Sequence, residues 1–240
     1  MKLDIAGKYL IATTIFSTTL SSIVFSATSS LAANSALEYR QLGLSYRQQG
    51  RYQEAINAMQ KSVELEPDNI NGRVNLGWTQ HLALREEDAA NSLLQAIYIK
   101  PLFVPSYNAL GIVYLFDNKL VPALLTHTLA AIFKLDNEIA FYNLSLTLHR
   151  LGVYNLAIAA GNYAATLEPQ NPHPFVASAI SYWNLDKKSM ANQLYRRAIK
   201  LDVRYKTSSF LNHLQQAAFS EKQISITKQI SSNTIGKSNK

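Results

Sequence analysis

The chain has 240 residues and no cysteine, and its formal net charge is +7, with 48% hydrophobic and 16% charged residues. That apolar content suffices for a substantial core, and the missing cysteines exclude disulfides, thiolate metal sites and a lipid-modified N-terminal cysteine. Residues 221–240 carry +3 of the charge and the N-terminal segment +1, so the roughly 190 residues between carry only +3, an ordinary surface rather than a nucleic-acid footprint.

Residues 1–33 differ in composition from the rest. Lys2 and Lys8 precede the apolar, Ser/Thr-diluted run YLIATTIFSTTLSSIVF (Tyr9 to Phe25), and small residues follow, with Ser30 and Ala32 at −3 and −1 of a cut. These are the parts of a secretory signal. A bilayer core needs ~20 mostly apolar residues, so the run is short for a stable span. The expectation for 1–33 is a signal peptide or N-terminal anchor. The chain is then exported to a periplasm, lumen or extracellular space if the signal is cleaved, and membrane-anchored if it is not.

Residues 65–69 read LEPDN and residues 167–171 read LEPQN, 102 residues apart, three times 34. A fixed period of this size marks a repeat architecture. Blocks beginning at 36, 70, 104, 138 and 172 align without insertion. Position 8 is always small (Gly43, Gly77, Gly111, Ser145, Ala179), and position 20 is always alanine (Ala55, Ala89, Ala123, Ala157, Ala191). Positions 4, 7, 8 and 11 form one helical face and positions 20, 24 and 27 a second. Gly50, Asn118 and Gly152 stand at position 15, where a helix-ending left-handed residue is needed. Each block therefore predicts helix, tight turn, helix. All seven prolines fall at the predicted boundaries, where the ~3 kcal/mol penalty of an interior proline does not arise.

After the last block, TSSFLNHLQQAAF (207–219) puts Phe210, Leu211, Leu214, Ala217 and Ala218 on one face and reads as a helix covering the final unit. EKQISITKQISSNTIGKSNK then lacks packing residues and reads as disordered. The organisation is 1–33 signal or anchor, 36–205 five repeats (36–69, 70–103, 104–137, 138–171, 172–205), 206–220 capping helix and 221–240 polar tail.

Block one, YRQLGLSYRQQGRYQEAINAMQKSVELEP, resembles the tetratricopeptide repeat. The chain departs from that pattern at His127 and Gly161 (position 24), at Leu84 (the turn) and in blocks three and five, which no proline closes. The resemblance implies an all-α, right-handed superhelical solenoid of helix-turn-helix repeats. It also implies a concave surface lined by positions 2, 5, 6, 9, 12 and 13 of each first helix. On that surface the expected partner-binding residues are Arg40, Arg47, Asn75, Trp78, Asn108, Ile112, Phe116, Tyr142, Asn143, Leu146 and Trp183. Some family members clamp a partner's terminal carboxylates; here Leu44, Pro105 and Ala109 leave that clamp incomplete.

The five histidines have no partner at metal spacing, and neither a phosphate loop nor a nucleophile elbow is present. No catalytic residue, metal or cofactor is expected. The reading is a non-enzymatic scaffold that binds a peptide or helix of a protein partner in the concave groove, in assembly of an envelope or membrane complex. Helical-repeat RNA binding is the alternative; the 34-residue period and a central face poor in Lys and Arg weigh against it, and no nucleic acid is expected.

Overall fold

The computed structural model describes residues 35–236, in which every regular element is helical. The signal or anchor expected at 1–33 lies outside the described residues. The chain divides into two compact units, Met1–Ala83 and Leu84–Lys240.

The first unit contains α1 (35–48), α2 (Tyr52–Leu65) and α3 (Ile70–Leu82). Gly43 of α1 lies where any added Cβ would meet Met59 Cγ of α2 at 2.6 Å, so one helix contributes a gap that the other fills. Ala55 and Ile56 are completely buried beside Met59. The Asn69 side chain accepts from the Gly72 N–H at 2.9 Å and so caps α3, while its Nδ2 donates to Glu66 at 2.8 Å. This gives the LEPDN motif its physical meaning: the glutamate holds the asparagine that starts the next helix.

The second unit contains α4 (Glu86–Ile99), α5 (Val104–Phe116), α6 (Leu120–Phe133), α7 (Glu138–Arg150), α8 (Tyr154–Leu167), α9 (Pro172–Asn184) and α10 (Lys188–Leu201). Helices adjacent in the chain pack on one another from α4 to α10. The cap recurs at α7 and α9, where Asn137 accepts from Ala140 and Asn171 from His173, and Asn171 is held by Glu168 at 2.9 Å. The gap-and-filler contact varies. Gly111 faces the His127 ring, with a would-be Cβ 2.6 Å from Nδ1; in the next hairpin the glycine is Gly161 on the second helix, facing Ser145 and Ser178. The alanines at position 20 of all the hairpins are fully buried. A close backbone approach of this kind leaves no room for a larger residue without strain.

The C-terminal region corrects two expectations. Residues 206–220 are not an α-helix: two 3-10 segments, Val203–Lys206 and Phe210–Ala217, are followed by Ala218 at φ 64°. Residues expected to be a disordered tail form α11 (Glu221–Gly236), which packs against α9 and α10. Its buried side is Gln223, Ile224, Ile226, Thr227, Ile230, Ser231 and Thr234. Hydroxyl and β-branched residues are weak helix formers, so α11 depends on tertiary contacts rather than on local propensity.

The residue at position 15 of every block is left-handed: Gly50 (φ 73°), Leu84 (60°), Asn118 (58°), Gly152 (79°) and Asp186 (57°). Leucine in this region brings its Cβ against the following carbonyl at a cost of roughly 1–2 kcal/mol. The Leu84 side chain is 83% exposed and recovers little of that. Leu84→Gly is therefore expected to raise unfolding stability by about 1 kcal/mol, read as an increased urea midpoint with unchanged slope.

Candidate functional site

The residues expected from the repeat register to line an inner face, and to bind a partner there, lie on α1, α3, α5, α7 and α9. In the first unit Arg40 and Arg47 stand on α1, and Asn75 and Trp78 on α3. Arg40 is already engaged, its Nη1 3.1 Å from Glu66 and 3.4 Å from Ser62 Oγ. Arg47 differs. Its Nη1 is buried without a hydrogen-bond partner among the described residues, and burial pushes its pKa below the usual arginine value. A buried guanidinium nitrogen without an acceptor costs free energy, and an incoming carboxylate or carbonyl would remove that cost. Trp78 is half-buried, its ring 5.1 Å from that of His81, and Asn75 is also half-buried.

In the second unit the inner face is divided. On α5, Asn108 is tied to Asn137 by reciprocal amide bonds of 2.9 and 3.2 Å, Ile112 is half-buried and Phe116 is 40% exposed. On α7 and α9 the face is covered by the chain itself. The Tyr142 hydroxyl donates to the Ala217 carbonyl, and its ring lies 6.3 Å from that of Phe219. Leu146 is fully buried with Val176, Ile180, Leu211, Leu214 and Ile230 in one cluster, and Trp183 packs on its edge. Gln223 of α11 donates to the Leu146 carbonyl at 3.1 Å, and its Nε2 lies 3.2 Å from His149 Nδ1. Asn143 is buried, with Nδ2 donating to the Ile139 carbonyl at 2.9 Å and Oδ1 unpartnered.

Structure thus brings Tyr142, Leu146 and Trp183 together, but under residues 203–236. Sequence reasoning placed Phe210, Leu211 and Leu214 on a covering face but passed over Tyr205, His213, Phe219 and Gln223, which cover it too. The helical spacing of Ile224, Thr227, Ile230, Ser231 and Thr234 is the signal that could have marked α11. Three histidines are held without charge in this unit. Burial depresses His127 to about 3. Burial, then the charge of Lys222, lowers His149 to about 4; burial, then His213, lowers His173 to about 4. The Tyr205 hydroxyl lies 2.6 Å from His173 Nδ1, an arrangement suited to a neutral acceptor. Among the described residues no group of three or more His, Asp or Glu is placed to hold a metal, and no helix is long and apolar enough to cross a membrane.

Tandem helix pairs, spaced by 34 residues and held by small residues at the crossing, define a helical-hairpin repeat fold. The chain matches the family model described as Tetratricopeptide repeat over residues 36–69. Its fold is shared with solved structures of low identity. MamA is 20% identical with a TM-score of 0.62, covering 71% of this chain and 93% of its own. YrrB, described as a TPR protein with an unusual peptide-binding site, is 14% identical with a TM-score of 0.58, covering 75% and 92%. TTC0263, a thermophilic TPR protein in Thermus thermophilus, is 19% identical with a TM-score of 0.60, covering 76% and 98%. No curated protein sequence matches.

The neutral histidines give stability a definite pH dependence. Their folded pKa values lie below the ordinary 6.5, so the unfolded chain binds more protons as pH falls through the window from about 6.5 to 4. Stability is complete above that window and is expected to fall by about 2 kcal/mol per histidine between pH 7 and pH 5. His127→Met, which installs the residue that the first hairpin uses at the same position, is expected to remove about a third of the loss. Denaturant titrations at the two pH values read both effects; equal losses in the two proteins would contradict the assignment.

Proposed function

We propose that the protein is a non-enzymatic scaffold that binds a peptide or helix of a partner protein on the inner face of its hairpins, all five of which we read as repeats. One observation carries this reading: the inner face of α7 and α9 already holds a helical segment, the chain's own residues 203–236, through an apolar cluster bordered by backbone and amide hydrogen bonds. That is the helix-in-groove mode of recognition, realised within one chain. The inner face of the first unit has no such occupant among the described residues. It offers the Arg47 guanidinium, whose Nη1 is buried without a hydrogen-bond partner among the described residues, together with Asn75 and the half-buried Trp78 ring. Tryptophan and arginine are the side chains that most often dominate binding energy. The proposed setting is outside the cytosol, in assembly of an envelope or membrane complex, and rests on the signal-like composition of residues 1–33.

The test is affinity capture from native cells with the full-length chain, an Arg47→Ala/Trp78→Ala variant and an Asn57→Ala control on the outer side of α2. Loss of an interfacial hot spot is worth about 2 kcal/mol, so the double variant is expected to retain its partner at least about tenfold more weakly, with unchanged circular dichroism. Equal capture by all three proteins would overturn the site.

A further inference from the structure

The outward face of the second helix in each hairpin provides an internal control. Four register positions there are solvent-exposed in every hairpin. In α2 they hold Gln53, Asn57, Lys61 and Glu64, and in α10 Ser189, Gln193, Arg197 and Lys200. In α6 the same positions hold Val121, Leu125, Leu129 and Ile132, with exposures of 59%, 60%, 41% and 61%. The fold does not require this, since α2 and α10 occupy the same place in their hairpins with polar side chains. All of α6 lacks a charged side chain at neutral pH, its one histidine being buried and neutral. Phe133 and Leu135 (38% and 69% exposed) continue the stripe, and the Tyr163 hydroxyl, on a ring 42% exposed, reaches the Leu135 carbonyl at 3.2 Å.

We infer that the outer face of α6 is a homodimer interface, with a second copy of this chain seated on it antiparallel about a two-fold axis between Leu125 and Leu129. Three features favour this occupant. First, residues spaced by four form a ridge, and such ridges on two identical helices interdigitate. Second, the stripe presents on the order of 500 Å² of apolar side-chain surface, so two copies together bury close to the ~1,200 Å² at which specific interfaces begin. Third, the rim is balanced. Lys119 pairs with Asp117 at 2.7 Å at one end, and Lys134 and Asp136 stand at the other. Antiparallel pairing places each end opposite its counterpart without net repulsion. A lipid surface is the less suitable occupant, because helices that lie on membranes carry Lys and Arg along their polar border.

The absence of cysteine makes the test direct. Full-length chains carrying Leu125→Cys and Leu129→Cys are mixed and oxidised with copper phenanthroline. The 125–129 disulfide dimer is expected to exceed by at least tenfold the yield from chains carrying Asn57→Cys or Gln193→Cys at the register of Leu125. Sedimentation of the uncross-linked chain at micromolar concentration is expected to give a dimer, and Leu125→Glu a monomer with unchanged circular dichroism. Position 125 is exposed in the folded chain, so this variant leaves the hairpin intact. A monomeric wild type, or a dimer insensitive to Leu125→Glu and cross-linking no better at 125 and 129 than at 57 and 193, would overturn the inference. So would a monomer that floats with phosphatidylglycerol vesicles through Leu125, which would assign the face to lipid.

Discussion

Everything in this chain depends on how closely the two helices of a hairpin approach. The alanine at position 20 is fully buried in each hairpin, and the residue at position 27 is Ser62 or a fully buried alanine. Such small contacts contribute little area each, but they let longer side chains beside them reach across. The gap and its filler exchange sides: Gly43 receives Met59 and Gly111 receives His127, whereas Gly161 on a second helix receives the hydroxyls of Ser145 and Ser178. In each case the gap left by a glycine is filled from the facing side, as tight interior packing requires. Sequence identity there is free to vary, which explains how a hairpin tolerates an imidazole in its core provided that it stays neutral.

A hairpin that buries its crossing leaves two faces to be disposed of, and the chain treats them differently. On α7 and α9 the inner face is consumed internally. The segment that consumes it is unusually polar: Gln223, Thr227, Ser231 and Thr234 are buried alongside Ile224, Ile226 and Ile230. The polar members are bonded, Gln223 to the Leu146 carbonyl, Thr227 to the Gln223 carbonyl and Thr234 to Asn192, so the interface avoids the desolvation cost of unpaired groups. It also obtains less hydrophobic stabilisation per residue than an aliphatic helix would give.

The sequence made the repeats readable because their constraint is steric and strictly periodic. Glycine and asparagine at position 15 announced three left-handed turns. Leu84 and Asp186 adopt the same backbone unannounced, because the surrounding hairpin imposes the turn whatever residue stands there. Helix α11 was hidden for the opposite reason. Its spacing is helical, but Ser, Thr and Ile carry neither a strong helix preference nor a clear apolar stripe, and its order comes from partners far away in the chain. Tyr142 and Leu146 were identifiable as inner-face residues from register alone. That they are covered follows only from where residues 203–236 run, which no local pattern encodes.

The repeat also separates what folding demands from what it merely permits. At a position exposed in every hairpin, packing exerts no selection between glutamine and leucine beyond solubility, and solubility favours glutamine. Helices α2 and α10 follow that preference, while α6 departs from it at four successive turns of one face. The inner faces invite the converse comparison. Arg40 and Asn108 occupy positions expected from the repeat register to bind a partner, yet both are spent on bonds within their own units, Arg40 to Glu66 and Asn108 to Asn137. Arg47 has no such tie through its Nη1. A polar group that folding leaves unsatisfied, and an apolar group that folding leaves in water, are the same kind of observation. Each is a cost the isolated chain carries, and each is relieved only by a partner of complementary chemistry.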